Sequence, residues 1–249
     1  MGILDLPAPL FAWFDGLLSE LMPSAVCLMV WGILGAAISM GLYWLISPQQ
    51  AIKRTQAKSL EARRALDSYQ GDFAGAWPQM RKMLRHALTQ VGIVTVPAVI
   101  ASLPVLCLLV WLSTAYGYHF PAPGTSIKIR TFPEQLQARR IAGAKPNAQT
   151  MSKPQTPRIE LLNVENLVIR TIALPIPVPS IHKRQWWNAL VGNPAGYLPE
   201  HSKIDRVEIN VPRQEFLRFG PSWLRGWEFL FLTVLVVASI IIKVVFRIK

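Results

Sequence analysis

The sequence predicts a membrane protein: an α-helical three-span core with a cytoplasmic basic helical hairpin, plus a small β-rich extracytoplasmic module inserted before the last span. Of 249 residues, 51% are hydrophobic and only 16% charged. The mean hydropathy of +0.30 is too apolar for an ordinary water-soluble domain or a disordered chain. Twenty-six Lys+Arg against 14 Asp+Glu give a net charge of +12, which beside long apolar runs points to a membrane surface before nucleic acid. Cys27 and Cys107, the two cysteines, fall inside apolar runs. They exclude a disulfide scaffold or a multi-cysteine metal site and read as small hydrophobes.

Residues 1–23 come first. Leu10, Phe11, Phe14, Leu17, Leu18 and Leu21 recur at three-to-four spacing and make one apolar helical face, with Asp15, Ser19 and Glu20 on other sides. This reads as an interfacial amphipathic helix on the outer surface; the alternative is a frayed extension of the first span, against which Pro23 should break the helix. The first span, 24–47, carries no charge from Ser24 to Ile46, and about 20 apolar residues suffice to cross hydrocarbon.

The segment 48–85 is the predicted hairpin. Pro48 can open a helix, and Gln49 to Ser68 is rich in helix formers but has only a weak apolar stripe through Ala51, Thr55, Lys58, Ala62, Ala65 and Tyr69. Gln70-Gly71-Asp72 should break it, and Trp77-Pro78 should restart a helix that leads into the second span. Lys53, Arg54, Lys58, Arg63 and Arg64 are its candidate contacts to a client or ribosome; the plainer reading is a solvated loop that sets topology. The second span, 86–116, is interrupted by Pro97 and Pro104, so a tilt or kink is expected.

Residues 117–221 change character. Alternation marks strands at 126–130, 166–172 and 206–211, around a proline-containing stretch, 133–157, that reads as flexible. The prolines of 173–179 forbid a central strand there. Trp186, Trp187 and Tyr197 suit either the headgroup layer or the core of the module. The third span and a short tail complete the chain at 222–249, with Trp227 to Phe246 apolar but for Glu228 and for Lys243, whose long stem can snorkel.

Orientation follows from basic residues near the spans. The first 24 residues have none, whereas 48–88 carries eight and the tail adds Lys243, Arg247 and Lys249. The N-terminus is therefore expected outside and the C-terminus in the cytoplasm, compatible with a bacterial inner membrane. The 14 basic residues of 116–221 lie in a segment too long to vote. No basic region precedes an apolar stretch at the N-terminus, so a removed signal peptide is not expected.

An enzyme is not expected. GxSxG, Walker, HExxH and GxGxxG patterns are missing; His182, Glu200, His201 and Asp205 match no ligand spacing and read as polar residues facing water, so no metal or cofactor is predicted. The spans hold no buried Asp, Glu or Arg at their centres, the usual mark of an ion path. Milder groups gather in their cytoplasmic halves: Ser39, Thr89, Gln90 and Thr95. They can line a shallow hydrated groove in one leaflet, or make inter-helix hydrogen bonds worth about 0.6 kcal/mol each.

Ser39-Met40-Gly41-Leu42-Tyr43-Trp44 before the basic hairpin, Met80-Arg81-Lys82-Met83-Leu84 entering the second span, Leu103–Ser113 closing it, and Ser222-Trp223-Leu224-Arg225-Gly226-Trp227 opening the third carry a resemblance. In these residues and in element order the chain resembles the YidC/Oxa insertase superfamily, in its three-span branch of archaeal YidC-like proteins and the third subunit of the endoplasmic-reticulum membrane protein complex. The likeness covers 1–118 and 220–249. It implies a groove open to cytoplasm and lipid that lets hydrophilic stretches of a nascent membrane protein pass without nucleotide. The chain departs in two ways. No groove arginine lies between Ser24 and Ser47, and the external module follows the second span instead of preceding the core. The expected function is thus a membrane insertase or insertion and assembly chaperone; the alternative is a scaffold subunit docking an extracytoplasmic protein through 117–221.

Overall fold

The computed structural model describes residues 2–67, 73–120, 129–132, 137–141, 158–162, 168–173, 176–202 and 204–247. A 3₁₀ turn (Ile3–Asp5) leads into α1 (Ala8–Leu21), α2 (Ser24–Ile46), α3 (Gln49–Asp67) and α4 (Phe73–Ala115). Six strands follow, β1 (Ile129–Phe132), β2 (Gln137–Ile141), β3 (Arg158–Leu162), β4 (Val168–Ala173), β5 (Ser180–His182) and β6 (Arg206–Ile209). A short α5 (Ser222–Arg225) and α6 (Trp227–Val245) close the chain. Ser24–Ile46, Met80–Ala115 and Trp227–Val245 are long and apolar enough to cross a membrane, which fits an integral membrane protein.

The chain forms two compact units, one of residues 1–25 and 107–229, the other of residues 26–106 and 230–249. In the first, the antiparallel sheet β1-β6-β5 is built on a central strand that aligns Thr131, Val207 and Ile181 across it. All three are buried, and with Val178, Leu198, Ile204, Ile209 and Val211 the two aliphatic residues form one core. Burying each such side chain fully contributes about 1.5–3 kcal/mol. The stretches leaving α4 and returning to α5 run side by side: His119 N–H donates to Pro212 O (3.2 Å) and Gln214 N–H to Gly117 O (3.1 Å). A second antiparallel sheet has the order β2-β3-β4, with an irregularity at Leu161/Leu162.

Three local expectations are revised. The stretch 133–157 was expected to be flexible, yet it contains β2, whose backbone pairs with β3 from Gln137↔Leu162 to Ile141↔Arg158; the remainder, 133–136 and 142–157, lies outside the described residues, as does the breaker 70–72. The second arm of the hairpin leads into the second span as expected but starts earlier than Trp77-Pro78: α4 runs from Phe73 through Pro78, Pro97 and Pro104 to Ala115. Pro78 is the sixth helical residue, so its missing donor orphans only one first-turn carbonyl. Finally, the apolar face of α1 is divided: Phe11, Phe14 and Leu18 are half-buried, but Leu10, Trp13, Leu17 and Leu21 form an exposed stripe.

In the second unit α2 buries Cys27, Leu28, Trp31, Gly32, Gly35 and Ala36. Small residues let backbones approach where lipid supplies no hydrophobic drive between helices. A Cβ on Gly32 would meet Val234 Cγ1 at 2.9 Å and Phe231 O at 3.2 Å, so α6 lies directly against this glycine.

Candidate functional site

Ser39 sets the register of α2 on α4: its Oγ–H donates to Ala101 O at 2.9 Å. Ala101 precedes Pro104 by three residues; the ring leaves the carbonyl of Ile100 without its helical donor, and the Ser39 hydroxyl bonds the next carbonyl in that turn. At about 1.5 Å per residue, α2 ends roughly 10 Å beyond Ser39. Thr95 lies about 9 Å from Ala101 along α4, whereas Thr89 and Gln90 lie about 16–18 Å away. Thr95 is thus level with the last turn of α2, and Thr89 and Gln90 stand past it. The four predicted polar residues do not form a single cluster: at about 100° per residue, Gln90 lies on the face of α4 that carries Ala101, whereas Thr89 and Thr95 lie about 120° to either side of it.

Each threonine hydroxyl also bonds within its own helix, Thr89 Oγ1 to Arg85 O (2.8 Å) and Thr95 Oγ1 to Val91 O (2.7 Å). Both side chains are exposed and Gln90 is half-buried. Their oxygens keep acceptor capacity, because a hydroxyl donates once but accepts twice.

Packing in this unit is asymmetric along the helices. The buried residues of α2 all lie between Cys27 and Ala36, those described on α4 are Pro97 and Ala101, and on α6 burial in this unit ends at Phe231. Toward the other end a Cβ on Gly41 or Gly92 would meet nothing within 4 Å. Ser47, just past α2, is buried there, and its Oγ has no hydrogen-bond partner among the described residues. No spacing or motif marked this hydroxyl in advance.

Beyond the open end stand the cations. Arg54, Lys58, Arg63 and Arg64 on α3 are exposed, as are Arg81, Lys82 and Arg85 on α4; the Lys53 side chain lies outside the described residues. The ion pairs found among the described residues, such as Lys183–Asp205 at 2.7 Å, belong to the first unit. None of these exposed cations takes part in an ion pair found among the described residues. In the first unit His182 Nδ1 lies 2.7 Å from Lys183 O, and its ring packs against Trp187 and Tyr197. No group of three metal-ligating side chains occurs among the described residues.

No protein-family model matches the chain, and no curated protein or solved structure does so either.

Proposed function

We propose that the chain is a membrane insertase or insertion chaperone that works without nucleotide, placed in a bacterial inner membrane with its N-terminus outside. The observation that carries this reading is the burial asymmetry of α2, α4 and α6: buried residues gather at one end, and before Pro97 no described residue of α4 is buried. Gln90, half-buried, lies on that stretch of α4 between Ala101 and the exposed cations Arg81, Lys82 and Arg85, with Thr89 and Thr95 exposed to either side. A hydrophilic client segment entering there would exchange water for hydroxyl and amide partners and cross a shorter apolar path, lowering a penalty of several kcal/mol per unsatisfied backbone group. Arg54, Lys58, Arg63 and Arg64, with Lys53, would hold the nascent chain or the ribosome by charge. The reading assigns no covalent step and no cofactor.

The test is photo-crosslinking in native membranes from Gln90, Thr95 and Ser39. Adducts to many different short-lived nascent membrane proteins at Gln90 and Thr95 are expected, with few at Ser39, whose hydroxyl is spent on Ala101. Reversing the four described cations of α3 to Glu should impair client insertion while the protein still accumulates. Unimpaired insertion of every client tested would defeat the reading.

A scaffold role is favoured instead by the Ser39–Ala101 bond and the contact of Gly32 with α6, both of which are inter-helix packing. In that case Gln90 would yield one abundant, persistent adduct, and the extracytoplasmic module would co-purify a stoichiometric protein.

A further inference from the structure

The first unit contains a cleft of about 650 Å³ between the α1 segment, the last turns of α4 and the loops at 176–177 and 192–194. That volume falls in the range of small-molecule sites. Among the described residues lining it, Asp5 and Asp15 are the only charged ones. An acidic lining is notable in a chain of net charge +12, and it follows from the lack of any Lys or Arg in residues 1–24.

The two carboxylates are held differently. Asp5 Oδ2 accepts from Gly2 N–H (2.8 Å) and Gly192 N–H (2.7 Å), which ties the N-terminal turn to the loop and leaves Oδ1 without a donor among the described residues. Asp15 Oδ1 accepts from the Tyr116 hydroxyl at 2.5 Å. Most of the remaining wall is apolar, with Ala12, Trp111 and Pro177 prominent.

Position selects the occupant. Thr114 and Ala115, which line the cleft, are the last residues of a helix long enough to cross the hydrocarbon and continue into the headgroup layer. Leu10, Trp13 and Leu17 expose an apolar stripe on the adjoining side of α1, as a helix lying in that layer does. We propose that the cleft binds the headgroup of an outer-leaflet phospholipid bearing a primary ammonium. Such a group brings three N–H donors to carboxylate acceptors, whereas an anionic headgroup would meet only like charge. The site is separate from Ser39, Thr89, Gln90 and Thr95, and a blank crosslinking result at Gln90 leaves it untouched.

The test uses the full chain in detergent, exchanged with equimolar phosphatidylethanolamine and phosphatidylglycerol and read by native mass spectrometry. Retention should favour ethanolamine by about tenfold, the ratio one charge-assisted hydrogen bond supplies. Asp5→Asn/Asp15→Asn should abolish the preference. Because those carboxylates also brace the fold, Ala12→Trp, which fills the cleft and leaves both in place, should lower ethanolamine retention to the glycerol level. Equal retention of the two lipids by the unaltered chain, or a preference that survives Ala12→Trp, would overturn the proposal. A photo-crosslinker at Ala12 in native membranes should add the mass of a phospholipid; a polypeptide adduct would overturn it in favour of a basic protein partner.

Discussion

The Tyr116 hydroxyl donates a 2.5 Å hydrogen bond to Asp15 Oδ1 across 101 residues of sequence. The ring of Tyr116 also meets Trp111 and Phe216, and Trp111 in turn meets Phe11. One tyrosine thus joins α1, the end of α4 and the strand-like segment before α5. Tyr116→Phe keeps the rings and removes the bond, and should destabilise the docking of α1 by about 1–2 kcal/mol for a half-exposed charged acceptor. Tyr116→Ala should cost about 3–5 kcal/mol. Hydrogen exchange of the α1 amides in detergent would order the two variants. Equal protection in wild type and Tyr116→Phe would show that the bond contributes nothing.

Two glycines of α2 should respond oppositely to the same substitution. Gly32→Leu pushes a side chain into Val234 and the Phe231 carbonyl, and overpacking of this kind costs about 1–3 kcal/mol. Gly41→Leu enters open space and should be neutral or slightly stabilising, since glycine is a poor helix former. Thermal inactivation followed by size-exclusion chromatography compares them. A Gly41→Leu as damaging as Gly32→Leu would mean that the open end closes.

The β1-β6-β5 sheet should depend on its core and not on its surface charges. Ile181 is 1% exposed and opposite Val207, so Ile181→Ala should cost about 2–5 kcal/mol. Asp205, whose side chain is 71% exposed, pairs with Lys183, and Asp205→Asn should cost under about 1 kcal/mol. The urea midpoint for proteolysis within residues 176–216 of the full chain measures both.

Orientation can be read by thiol labelling. In a background of Cys27→Ala and Cys107→Ala, a membrane-impermeant reagent applied to intact cells should modify Trp186→Cys, which sits at a highly exposed position. It should modify Arg63→Cys only after the membrane is opened. The reverse pattern would invert the topology and with it the proposed client side.

Much of the helical frame was legible in advance. The uncharged run from Ser24 to Ile46 coincides with α2, and Trp227–Phe246 differs from α6 by one residue. Strand signals at 166–172 and 206–211 fall on β4 and β6, and that at 126–130 overlaps β1 at Ile129 and Arg130. By contrast β2, Gln-Ala-Arg-Arg-Ile, lacks alternation and sits among prolines. It is held by backbone pairing with β3, and side-chain patterning does not report such pairing.

The amino-acid sequence by itself determined where the chain can cross a membrane and which flank is basic, because transfer from water depends on local composition summed over about 20 residues. Only the tertiary structure decided which groups meet. Asp15 was assigned to a polar side of α1 and is instead bonded to Tyr116. Ser39 belonged to a predicted groove set and is committed to Ala101, and the carboxylate of Asp5 anchors Gly192. Each of these pairs joins residues at least 62 apart in sequence. Helical periodicity names the faces of one element but carries no information about the partner that covers them.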